Sequence, residues 1–229
     1  MRYLGRFRRP RVAACLLLAG GALGPALLAG GAAQAAGCGS AVAAGTTCTV
    51  TGTLALTSGT LAMTSPGSLA WGHTITGADQ QLADTTAADE GYSVNDATGI
   101  APGWHSTVSA TQFTTGGGTP STMANTATFY TTGSVTSMSA TTAPTPSCAS
   151  GSTCTLPTNT TTYPVAITTA ASTPSSFTIY DASAATGSGT MNIGGSSATS
   201  PVGWWLAAPA NTPAGSYTST ITLEIISGP

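Results

Sequence analysis

The sequence predicts an all-β protein: a single immunoglobulin-like β-sandwich of many short strands behind a cleaved N-terminal signal peptide. Three observations lead there. Apolar residues recur at period two in short runs rich in Thr, Val and Ile. Clusters of Gly, Pro, Asn and Asp separate the runs, and no amphipathic helix of useful length follows the leader. Few charges would also suit a disordered chain, but disorder needs low hydrophobicity as well, and 41% of these residues are hydrophobic.

Taken in order, the first expected run is Cys48, Val50, Leu54 and Leu56, alternating with Thr and Ala. Leu69, Trp71, His73 and Ile75 fall on one face at strict period two, which predicts a second strand. Ala78 to Glu90 reads equally as a short helical turn or a loop. Trp104, Ser106, Val108 and Ala110 share a face, as do Phe177 with Ile179, and Val202, Trp204 and Leu206. Tyr217, Ser219, Ile221, Leu223 and Ile225 form the cleanest alternation. Turns are expected at Ser65-Pro66-Gly67, Asn95 to Gly99, Gly116 to Pro120 and Thr212 to Gly215. No composition break divides residues 36–229, so one domain is expected there. Residues 141–157, rich in Pro, Ser and Thr, look like an excursion from it.

Every Arg lies within the first eleven residues, and the chain has no Lys. Arg2, Arg6, Arg8, Arg9 and Arg11 begin a leader, residues 1–35. An apolar stretch from Val12 to Leu28 follows, and Ala33-Gln34-Ala35 supplies an A-x-A cleavage site. An uncleaved anchor and a lipoprotein carrying lipid on Cys38 are the competing readings. After cleavage seven acids remain and the only possible cations are His73 and His105. Nucleic-acid binding, phosphate clamps and polybasic membrane attachment all need cations, so none is expected. No later apolar run is long enough to span a bilayer.

Four cysteines outlast the leader: Cys38, Cys48, Cys148 and Cys154. An even number in an exported chain suggests disulfides. Four cysteines allow three pairings, and local pairing, Cys38 with Cys48 and Cys148 with Cys154, is expected. Each pair is close in sequence and precedes the same Cys-Thr start of an extended run. Free thiols are the alternative. No His or close Cys-x-x-Cys accompanies them, so no metal is expected, and no other cofactor is implied.

Little catalytic chemistry is legible. His73 is expected on the core-facing side of its strand, and His105 is expected to turn away from Trp104 toward solvent. There is no Gly-x-Ser-x-Gly elbow. Asp89-Glu90 reads as a solvated loop, and no Asp-x-Asp-x-Asp-Gly calcium loop is present. Asp96 is placed to close an Asx-turn, with ligand contact the second reading. Trp71 and Trp104 are expected in the core. Trp204 and Trp205 are neighbours on one strand and point to opposite faces, so one of them is expected to be exposed as a stacking platform, with a Trp covered by a loop as the alternative.

Val94 to Gly99, then Gly103-Trp104, then Val108 to Phe113 together resemble the first half of a WxL domain. Pro213-Ala214-Gly215-Ser216-Tyr217 and Ile221 to Ile225 resemble its closing strand. The resemblance covers nearly all of residues 36–229. Both name-giving motifs depart from the pattern: the first reads Trp104-His105-Ser106 and the second Leu223-Glu224-Ile225. What the resemblance implies is an exported, non-catalytic protein held non-covalently to the cell wall or surface of a Gram-positive bacterium, with peptidoglycan or another neutral wall glycan as ligand. Trp205, Trp104 and Asp96 are the ligand-contact candidates. The alternative expectation is a structural or adhesive subunit that assembles with other exported chains.

Overall fold

The structure, a computed structural model, describes residues 44–45, 52–124 and 128–228. The expected leader, residues 1–35, and the Cys38 and Cys48 pair lie outside the described residues. The chain divides into two units, Met1–Ala55 and Leu56–Pro229. Of the first, only 44–45 and 52–55 are described.

The fold class is as expected. Every regular element among the described residues is a β-strand, and all the strand pairings are antiparallel. One sheet contains β1 (Leu61–Thr64), β3 (Gly91–Asp96), β10 (Gly189–Gly194) and β7 (Pro146–Cys148), ordered β1-β3-β10-β7. A second contains β2 (Gln80–Ala83), β11 (Gly203–Ala208), β6 (Phe129–Thr132) and β8 (Val165–Ile167), ordered β2-β11-β6-β8. A third is built from β13 (Ile221–Ser227), β4 (Trp104–Ala110) and β9 (Phe177–Ala182), ordered β13-β4-β9. A small ribbon pairs β12 (Tyr217–Thr218) with β5 (Thr114–Thr115).

Alternation explains the core. Trp104, Ser106, Val108 and Ala110 on β4 are all fully buried. Tyr92 and Val94 on β3 and Met191 and Ile193 on β10 meet them from the opposing sheet. The aromatics close one end of the core: Trp71 packs edge-on against Phe113 and Phe129, and Phe129 stacks on Trp204. A bulge on β9 leaves Ile179 unpaired between Ser106↔Tyr180 and Thr107↔Thr178. The Tyr163 hydroxyl takes up the freed Ile179 carbonyl at 2.5 Å.

Several boundaries differ from expectation. Residues 69–75 form no strand: the Ala70 N–H is drawn to the Asp84 carboxylate instead of a ladder partner, and His73 and Ile75 are exposed. Residues 78–90 hold β2, paired with β11. The alternation from Tyr217 to Ile225 is split at Ser219-Thr220, where the Ser219 hydroxyl donates to the Thr111 carbonyl and the Thr220 N–H to the Thr111 hydroxyl. Leu54 and Leu56 belong to no strand and are 82% and 85% exposed. Residues 141–157 are less of an excursion than expected, because β7 pairs with β10. The Cys148–Cys154 disulfide is present, with its Cα atoms 5.5 Å apart, in the normal range for such a bridge.

Candidate functional site

A groove of about 1250 Å³ lies between two irregular walls. Residues 66–75 form one wall and residues 212–220 the other, while Leu82, Phe113, Met123 and Leu206 lie beneath. Trp71, His73, Gln80 and Tyr217 bring polar or aromatic groups to it, beside a series of Ser and Thr residues. No Asp, Glu, Lys or Arg lines it.

The acids hold its walls from behind. Asp84 accepts the N–H groups of Ala70 and Thr86, both at 2.8 Å, and Asp89 accepts the Gly67 N–H at 3.2 Å. Asp79 accepts the Ala210 N–H at 2.8 Å, next to the opposite wall. The Trp71 indole N–H donates to the Trp204 carbonyl at 3.1 Å, fixing the ring at the groove margin. This overturns the expectation of a solvated loop around Asp89, which is 4% exposed, while Asp84 is 2% exposed. With no Lys or Arg beyond Arg11, the carboxylates turn to backbone N–H groups for their compensation.

Asp181 follows the same rule further away. It accepts the N–H groups of Thr160 and Thr161 and both their hydroxyls, at 2.7–2.9 Å. Among the described residues no group of three or more His, Cys, Asp or Glu is arranged to hold a metal.

The expected ligand residues are placed differently. Asp96 closes the anticipated Asx-turn: its Oδ1 accepts the Thr98 N–H at 3.0 Å and the Thr98 hydroxyl at 2.6 Å. It is 3% exposed, so it faces the turn and not a surface. Trp104 is a core residue as expected, fully buried, stacked on Tyr180, with its indole N–H on the Gly187 carbonyl at 2.8 Å. Both sit beside the β9–β10 turn, since Asp96 also pairs with Gly189. Trp205 lies apart from them, on β11.

The expected exposed Trp is not found: Trp204 is 1% and Trp205 6% exposed. Trp204 enters the core, where its indole N–H donates to the Asp89 carbonyl. On the other face, Ser134 covers Trp205 and its carbonyl receives the Trp205 indole N–H at 2.8 Å. A Cβ at Gly203 would collide with that Ser134 carbonyl, so the close cover depends on glycine there. His105 is half-buried and its Nδ1 lies 2.8 Å from the Gly228 carbonyl.

Sequence reasoning missed Tyr217 and the two groove walls as a site. The signal was the pair of turn clusters around Pro66 and Pro213, and nothing in the sequence says that they meet. Compared with protein-family models, with curated proteins and with solved structures, the chain finds no match.

Proposed function

We propose that the chain is an exported, non-catalytic module that holds an uncharged glycan of the bacterial cell wall, the glycan strand of peptidoglycan being the intended ligand. One observation carries this reading: a groove of about 1250 Å³ that combines Trp71, Tyr217 and His73 with hydroxyl and amide side chains, and has no formally charged side chain in its lining. Sugars are bound by aromatic faces against their C–H surfaces and by neutral hydrogen-bond partners at their hydroxyls. The resemblance to WxL domains supports the same ligand class. Ser106 on β4 and Ile225 on β13, the third residues of the two segments that resemble its motifs, are paired.

The carboxylates support a binding role over a hydrolytic one. Asp79, Asp84, Asp89, Asp96 and Asp181 all accept backbone N–H groups, so they are occupied as structural acceptors. Attachment through neutral contacts is expected to depend weakly on salt. The test is co-sedimentation with sacculi stripped of anionic polymers, from low to high ionic strength. The protein should pellet throughout, and Tyr217→Ala should reduce the bound fraction several-fold while leaving thermal unfolding near wild type. Absence from the pellet at every salt concentration and pH overturns the reading.

A further inference from the structure

The strand β13 is a sheet edge seven residues long, and its outward backbone groups can be identified. The Thr111 N–H donates to the Thr220 carbonyl and the Gly228 N–H to the Gly103 carbonyl. In an antiparallel ladder the bonded residues alternate, so Thr222, Glu224 and Ile226 bond inward to β4. Ile221, Leu223, Ile225 and Ser227 therefore turn their N–H and C=O groups away from the sheet. No hydrogen bond occupies those groups among the described residues. Natural edges are usually blunted with Pro, Lys or a bulge, and β13 has none of these.

β1 lies beside β13, at the edge of the facing sheet. Immediately before β1 runs Gly52-Thr53-Leu54-Ala55-Leu56-Thr57-Ser58, in which every residue is exposed. Leu54 and Leu56 are the most exposed large apolar side chains among the described residues, at 82% and 85%. They are two residues apart, so in an extended strand both fall on one face. The segment is seven residues long and so is β13, at about 23 Å each when extended. It carries no charge, and Glu224 is the sole charge on β13, so no like-charge repulsion opposes their pairing.

We propose that two copies of this chain associate by strand addition: residues 52–58 of one copy pair with the open edge of β13 on the other, and Leu54 and Leu56 are covered in doing so. The added strand takes up the outward groups of Ile221, Leu223, Ile225 and Ser227, which is the general logic of recognition at a sheet edge. An arrangement in which each copy gives one strand and receives one closes as a two-fold dimer. This does not depend on the groove or on its glycan.

The test is sedimentation velocity on the secreted chain over a wide concentration range. A reversible dimer is expected. Replacing both Leu54 and Leu56 with Asp should weaken it by about tenfold or more. Ser227→Pro is the second variant: it deletes an outward N–H while sparing the inward ladder, and it should weaken the dimer with Leu54 and Leu56 intact. Near-wild-type thermal unfolding of both variants shows that the domain itself is preserved. A monomer at all concentrations overturns the proposal. So does a dimer indifferent to both variants, or a monomer that accepts a strand only from a different protein.

Discussion

The Tyr92 hydroxyl lies 2.7 Å from the Ser106 hydroxyl, inside the core between two sheets. Ser106 in turn donates to the Tyr180 carbonyl at 3.3 Å, so Tyr92 is the donor to Ser106. Ser106 is fully buried, and its hydroxyl is engaged on both sides. Removing the Ser106 hydroxyl strands a buried phenol. Ser106→Ala should therefore destabilise by about 1–3 kcal/mol in urea unfolding, while Tyr92→Phe should cost less because Ser106 keeps Tyr180. A double-mutant cycle should give a coupling of about 1 kcal/mol. Ser106→Leu should cost more than Ser106→Ala, since it adds overpacking to the lost partner.

Asp84 ties the groove wall to the body of the domain through the Ala70 and Thr86 N–H groups. Asp84→Ala should lower stability by about 1–3 kcal/mol and also loosen the wall that carries Trp71. Faster amide hydrogen exchange confined to residues near Ala70 checks the local effect. A reduced sacculus-bound fraction, measured below the unfolding temperature, checks its consequence for binding.

Trp205 is covered by Ser134 and bonded to it. Trp205→Ala should behave as a core truncation and cost about 3 kcal/mol or more, as should Trp104→Ala. Chemical denaturation of the two variants decides this. A Trp205→Ala variant with wild-type stability would restore the stacking-platform expectation.

Burial raises the Tyr92, Tyr163 and Tyr180 hydroxyls well above the ordinary tyrosine range, and the nearby Asp181 carboxylate adds to the effect at Tyr180. The sign follows from proton counting. Above about pH 10 the unfolded chain releases phenolic protons that the native state keeps. Stability is therefore unaffected by these groups below that pH and falls as the pH rises beyond it. Absorbance titration of phenolate formation should show these tyrosines ionising only with cooperative unfolding.

Thr107 has a buried hydroxyl with no hydrogen-bond partner among the described residues. Thr107→Val keeps the β-branched shape and removes the uncompensated polar atom. It should be neutral to stabilising, by up to about 1 kcal/mol, read as a higher Tm.

The sequence by itself determined the all-β class, the β4, β9 and β11 faces and the Asx-turn at Asp96, and it favoured the local Cys148–Cys154 pairing that the structure contains. These follow from period, turn chemistry and separation, all properties of neighbouring residues. It also determined that the acids beyond Arg11 have no Lys or Arg to pair with. Only the tertiary structure decided where those acids go. Asp84 and Asp89 reach N–H groups at Ala70 and Gly67, and this converts an apparent strand over residues 69–75 into a groove wall. The same holds for Trp205, whose alternation is correct but whose exposure depends on a loop around Ser134 that is distant in sequence. Alternation sets which face a side chain takes, but what covers that face is a long-range contact, and a period of two carries no information about it.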